Sequence, residues 1–255
     1  MFLSCKNGHT KTETVAADAV KTSSANPETA TRNKEIPPAF EGQTRVKGVT
    51  TKTPYEISVL NSSLTKPWAI IDFPNGRFLV TEKNGNMAII SADGKNVQKI
   101  TGLPKVDAKG QGGLLDVARD PDFAENRIIY WSFSEPVSGG NHTAVAKGKL
   151  SVDESKIENP TVIFRATPTY DGDKHYGSRL VFAPDGNLFV STGERSDLET
   201  RPLAQNQNSY LGKILKITKD GKPAPGNPQI AGWKPEIYST GHRNPQGTAL
   251  DEKGQ

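Results

Sequence analysis

The 255-residue chain holds a single cysteine, which excludes an internal disulfide framework and any zinc or redox site built on paired cysteines. No apolar run is long enough to cross a bilayer, and no window sustains the 3.6-residue period of an amphipathic helix. The phosphate-binding pattern Gly-x-x-x-x-Gly-Lys-Ser/Thr is missing, as is the strand-helix-strand context it needs. The net charge is only +4, with basic residues scattered among acidic ones. No stripe suits a phosphate backbone, so nucleic acid is not an expected partner.

Turn formers and short apolar runs take the place of these features. Hydrophobic residues make up 34% of the chain, beside 24 glycines and 18 prolines. This composition favours many short strands over long helices, and the expected fold class is all-β.

One pattern recurs: an apolar strand, a Pro-Asn-Gly or Pro-Asp turn, and a second strand. It runs from Trp68 through Pro74-Asn75-Gly76 to Thr81, from Leu115 through Pro121-Asp122 to Phe133, and from Arg179 through Pro184-Asp185-Gly186 to Ser191. A fourth copy opens at Gly247. The period is roughly fifty to sixty residues, the scale of one four-stranded propeller blade. Asn75-Gly76 and Asp185-Gly186 supply residues that tolerate positive φ in a tight hairpin. Outer strands are expected at 87–91, 144–151 and 213–218. Because the copies stop within a motif at Asp251-Glu-Lys-Gly-Gln255, about four blades are expected, as the first part of a longer ring.

The first 41 residues read differently. Phe2-Leu-Ser-Cys5 resembles the tail of a bacterial lipoprotein signal without its preceding apolar stretch, so a truncated leader with lipid on Cys5 is expected, with an ordinary N-terminal cysteine as the alternative. From Lys6 to Glu41 large apolar residues are nearly absent. Such a segment buries too little surface to offset its ordering entropy and reads as a flexible tether to a domain spanning 42–255.

Chemistry-bearing residues concentrate in three segments. Gly110-Gln-Gly-Gly-Leu-Leu-Asp116 places Gln111 in a glycine turn that feeds a strand. His175 follows the polar run Tyr170 to Lys174 and precedes the strand Arg179 to Phe182. A neutral imidazole at such a junction suits general base catalysis near neutral pH, although a lone histidine there also serves structure. Tyr238-Ser-Thr-Gly-His-Arg-Asn-Pro-Gln-Gly247 joins a planar cation, Arg243, to an amide, Asn244. This pair suits a flat anionic ligand, or alternatively the capping of backbone carbonyls at a blade junction.

In order and spacing, these segments and Leu211-Gly-Lys-Ile-Leu-Lys-Ile217 resemble successive motifs of the soluble pyrroloquinoline quinone (PQQ) dependent glucose/sorbosone dehydrogenases, the aldose sugar dehydrogenase branch in particular. The resemblance runs from about Leu60 onward. It implies a six-bladed β-propeller in which PQQ lies over the axial pocket with a calcium ion, and oxidation of an aldose at its anomeric carbon to a lactone. It implies that His175 is the base, that Arg243 stabilises the developing oxyanion and contacts the cofactor, that Asn244 holds the cofactor, and that Gln111 contacts substrate or cofactor. Where the glucose enzyme has an acidic substrate contact, this chain has Lys174, and Asp173 is the candidate substitute. The family's calcium loop and several basic cofactor contacts are expected beyond Gln255, so no metal ligand is assigned within the chain. The resemblance further implies a periplasmic or lipid-anchored protein that passes electrons to an acceptor the sequence does not identify.

Two rivals remain. A metal-dependent propeller lactonase would need converging Glu, Asp and Asn ligands at blade starts, where Gln, His and Arg stand instead. A non-catalytic propeller that binds protein or glycan would have no need for His175 and Arg243.

Overall fold

A computed structural model describes residues 40–43 and 52–253. Its contacts divide the chain into two units, Met1–Ile57 and Ser58–Gln255. The described residues of the first unit form no helix or strand. Cys5 and most of the expected tether lie outside the described residues.

The second unit is built from three antiparallel four-stranded sheets. The first comprises β1 (Pro67–Phe73), β2 (Arg77–Glu82), β3 (Asn86–Ile90) and β4 (Val97–Ile100). The second comprises β5 (Leu114–Arg119), β6 (Ile128–Val137), β7 (Gly140–Leu150) and β8 (Ile157–Arg165), with a four-residue helix α1 (Phe123–Asn126) between β5 and β6. The third comprises β9 (Gly177–Phe182), β10 (Leu188–Thr192), β11 (Lys213–Ile217) and β12 (Ile237–Thr240), with a 3-10 turn at Arg201–Ala204. Each sheet is a meander in sequence order.

Each sequence motif opens one sheet. Asn75 and Gly76, at φ 64° and 68°, turn β1 into β2, and Gly186 at φ 76° turns β9 into β10. The left-handed region these turns need is the reason for their residue types. The fourth copy forms no strand among the described residues, as 247–253 are irregular. The described residues thus give three complete blades where the repeat count reads about four. In the other copies a first strand is held by the second strand that follows it, and described residues 247–253 include no such partner.

β5 packs beside β1 and beside β9, so the first strands of successive sheets line up as the inner strands of propeller blades. The middle sheet shows why the sequence around β6 is almost continuously apolar. Ile129, Trp131 and Phe133 enter a core shared with Leu79, Met87 and Ile89 of the first sheet. Tyr130 faces the opposite way, into a core with Leu180, Val190 and Leu215 of the third. The two-residue period of a strand thus serves two cores, one on each face.

Polar links tie the inner strands together. Asp116 of β5 is buried and accepts from Arg179 Nη1 and from the Leu180 amide, both of β9, at 2.7 Å each. Burial raises its pKa, while those two donors and the Arg179 charge pull it down. Ser132 Oγ donates to the Ser178 carbonyl at 2.6 Å, and Thr81 Oγ1 to that of Leu115 at 2.6 Å. These bonds fix how one sheet enters its strand relative to the next, and the chemistry-bearing residues stand at those entries.

Candidate active site

His175 stands two residues before β9, and Glu194 two residues after β10. The strands are antiparallel neighbours, with Gly177 opposite Thr192, so the entry of one and the exit of the other meet at the same end of the sheet. There His175 Nδ1 lies 2.6 Å from Oε1 of Glu194. A carboxylate only accepts, so Nδ1 carries a proton; in the neutral ring Nε2 then holds the lone pair, and it has no protein partner among the described residues. The second carboxylate oxygen accepts from the Ser196 amide at 2.7 Å. Glu194 is buried, 3% exposed, whereas the His175 ring keeps 14% of its surface. The pair therefore has a fixed inner end and an accessible outer end.

Three consecutive residues hold this arrangement. Gly193 lies so close to the His175 carbonyl that a Cβ at 193 would overlap it. Glu194 takes the ring. Arg195, 1% exposed, donates from Nε to the Lys174 carbonyl at 3.0 Å and stacks on the Tyr176 ring at 4.1 Å. His175 and Arg195 both adopt left-handed backbone, at φ 49° and 72°, a conformation that persists in a non-glycine residue only where the surroundings impose it.

The other expected residues gather here. Gln111 Oε1 accepts from the His175 amide at 2.9 Å, and the Gln111 amide donates to the Asp173 carbonyl at 2.7 Å. Gln111 thus fixes the histidine backbone, and the Asp173 side chain is exposed. Arg243 arrives from the segment after β12: its carbonyl accepts from the Glu194 amide at 2.9 Å, and its Nε lies 3.8 Å from Glu194 Oε1. The Arg243 side chain is 73% exposed, so its donors point outward. Asn244 Oδ1 accepts from the Gly177 amide at 2.8 Å, which leaves the NH2 end of that amide for a ligand. The alternative expected of the Arg-Asn pair was capping of backbone carbonyls; the contact seen is instead Asn244 Oδ1 accepting from a backbone amide.

A cavity of about 260 Å³ opens beside Glu194 and Arg243, lined also by Arg201, Gln205 and His242. A second, of about 300 Å³, lies beyond Asp173 and Lys174 and reaches Asp107 and Asp197. Beneath the first, Lys213 is fully buried and donates to the carbonyls of Leu203, Ala204 and Leu211 at 2.7–2.9 Å. Burial pushes its ammonium down to about 8. Burial also lowers His242, aided by the Lys213 charge, and His242 Nε2 lies 2.8 Å from Ser239 Oγ.

Glu194 and Arg195 were not singled out by sequence. An acid and a base directly after a strand that ends in Thr-Gly were the available signal, since that end of an antiparallel hairpin must meet the residues before its partner. Among the described residues no group of three or more His, Cys, Asp or Glu side chains gathers to hold a metal ion. The donor set at the mouth does fit a flat anion: Arg243 and the Asn244 NH2 are both donors, and Gly247 has open space where a side chain would stand.

Fold and site together define a β-propeller that carries, at its inner-strand entries, a buried carboxylate holding an imidazole at 2.6 Å, with a guanidinium 3.8 Å away. The chain belongs to the glucose/sorbosone dehydrogenase family, whose model matches residues 64–255. It is 40% identical over 199 residues to an aldose sugar dehydrogenase of Escherichia coli, covering 76% of this chain and 53% of that protein. A crystal structure of a glucose dehydrogenase matches with TM-score 0.72 and 41% identity over 77% of this chain and 57% of its own. The PQQ-bound aldose sugar dehydrogenase of Streptomyces coelicolor matches with TM-score 0.67 and 33% identity over 78% of this chain and 57% of its own. The chain spans about half the length of the curated relatives it matches.

Proposed function

We propose that this chain belongs to a PQQ-dependent aldose dehydrogenase that oxidises the anomeric C–OH of a sugar to a lactone. The observation that carries this reading is the 2.6 Å contact between His175 Nδ1 and Glu194, with Nε2 left open. An imidazole held this way takes a proton at Nε2 from a hydroxyl in the mouth, and the buried carboxylate stabilises the imidazolium that results. Gln111 and Asp173 line the side from which a polyhydroxy ligand enters, and their polar ends suit sugar hydroxyls. Arg243 and Asn244 would hold PQQ. When bound, PQQ supplies the two-electron acceptor for the hydride released as the proton leaves. Arg243 sets a positive charge where negative charge then gathers.

The PQQ-bound relative supports the cofactor, and the relatives named for aldose and glucose oxidation support the substrate class. Calcium belongs to the proposal through the family resemblance, without a ligand assigned in this chain. A lipid on Cys5, a periplasmic or envelope-anchored location and an external electron acceptor complete it.

The test is titration of PQQ and calcium into the protein, following the cofactor's absorbance and its bleaching by aldoses. Saturable binding with aldose-dependent bleaching is the expected result. No binding, either in this chain or in one extended to its relatives' full length, would overturn the reading.

A further inference from the structure

Arg195 is the one guanidinium of the site sealed from solvent, at 1% exposure. Its bonds go to neutral oxygens: the carbonyl of Lys174 at 3.0 Å, that of Gly172 at 2.6 Å, that of Asn141 at 3.3 Å and Asn141 Oδ1 at 2.6 Å. Its flat face rests on the Tyr176 ring, whose hydroxyl donates to the Asn141 Oδ1 and Gly172 carbonyl oxygens that the guanidinium also uses. A buried cation with no carboxylate in ion-pair contact is expensive to desolvate; burial lowers its pKa, and the charges of Asp107 and Asp173 offset this only in part. A core needing only to be filled at this position would have no use for it.

The bonding pattern shows what the fork accomplishes. Arg195 grips residues 174 and 176, on either side of His175 and not His175 itself. Its chain neighbour Glu194 takes the ring between them. The guanidinium therefore fixes the backbone that aims the imidazole, while the carboxylate one residue earlier fixes the tautomer. Only a planar group with donors in several directions reaches three backbone carbonyls and an amide oxygen at once; a lysine in its place reaches fewer, with no fixed plane to stack on Tyr176.

We propose that Arg195 is a positioning residue for His175, its forked hydrogen bonds to residues 141, 172 and 174 and its stacking on Tyr176 locking the imidazole into the single orientation in which Glu194 holds its proton on Nδ1. This deepens the proposed function, since it rests on His175 being the base. It concerns the ring alone and needs neither cofactor nor sugar.

The test is nitrogen-15 NMR of the histidine side chains in the protein and in its Arg195→Lys and Arg195→Gln variants, with His175 assigned by its loss in His175→Asn. The starting protein is expected to show one His175 ring with the shifts of the Nδ1–H tautomer. Both variants are expected to keep the far-ultraviolet circular dichroism of the starting protein while the Nδ1–H signature is lost to averaging between tautomers or ring orientations. Folded variants with an unchanged ring spectrum would overturn the proposal. Variants that fail to fold would also count against it, because Arg195 would then be a requirement of the fold instead of a determinant of the ring. A starting protein whose His175 ring already averages would contradict its premise. Absence of sugar oxidation with the expected ring spectra would overturn the proposed function and leave the positioning role standing.

Discussion

The carboxylate of Glu194 touches the His175 ring at 2.6 Å and lies 3.8 Å from the Arg243 guanidinium, so one buried group organises both charges that the proposed chemistry uses. Glu194→Gln keeps the shape but offers an amide whose NH2 can bond Nδ1 and turn the proton to Nε2. The expected result is a fall in kcat of about a hundredfold or more, equivalent to ~3 kcal/mol of barrier, with PQQ affinity retained. Steady-state kinetics beside a cofactor titration checks it. A kcat within about twofold of the unsubstituted enzyme would mean that the carboxylate does not set the tautomer.

Gly193 faces the His175 carbonyl with no room for a methyl group. Gly193→Ala should therefore push the base aside without entering the mouth. Loss of turnover with a thermal midpoint lowered by only a few degrees is the expected signature, because the displacement is confined to the junction of β9 and β10. Unchanged turnover would show that the approach is not needed.

Asp116 and Arg179 join the second and third sheets through a carboxylate that also accepts the Leu180 amide. Asp116→Ala leaves the buried Leu180 amide without its acceptor and Arg179, whose side chain keeps 28% of its surface, without its partner, and should lower stability by about 1–3 kcal/mol. The Asp116→Asn change, which keeps an acceptor, should lower it less. Denaturant unfolding of the two variants checks the order, and equal effects would show that the retained acceptor contributes nothing without the charge.

Lys213 gives a pH dependence with a defined sign. Its folded pKa, about 8, lies below the ordinary 10.5, so between those values the unfolded chain binds the proton more tightly. Stability linked to this group therefore rises as pH rises through about 8 and levels off near 10.5. The full difference is on the order of 3 kcal/mol. Lys213→Met removes the titration, so the difference in unfolding free energy between the two proteins should depend on pH across that window. A difference that stays flat would contradict a buried ammonium.

Much of the architecture is written in local pattern. The turns at Pro74, Pro121 and Pro184 mark where each sheet begins because hairpin geometry requires their residue types. The outer strands near 87, 144 and 213 follow from β-branched runs between turn signals. His175, Gln111, Asp173, Arg243 and Asn244 were legible as motif residues, and hydrogen bonds link Gln111 to His175 and Arg243 to Glu194, the partner of the His175 ring. Glu194 and Arg195 were not, and Lys213 stood in a motif without a role, because what these residues do depends on which loop ends face each other across a hairpin or between a 3-10 turn and a strand. A two-residue period reveals burial on a strand but says nothing about partners beyond its ends. The unusual feature is that all three are ionisable side chains buried in loops or at a strand's first residue. Composition reads such residues as solvent-facing, and only tertiary hydrogen bonds to oxygens such as those of Leu203 and Lys174 explain why they are buried.

The central claim is that His175 removes the proton from the sugar. The most direct measurement is rapid mixing of an aldose with the PQQ- and calcium-loaded protein and its His175→Ala variant, each first shown to bind cofactor equally. The account predicts that bleaching of the bound cofactor slows by at least about a hundredfold in the variant, the lower range of a lost general base. Bleaching at the unsubstituted rate, with cofactor bound, would contradict it.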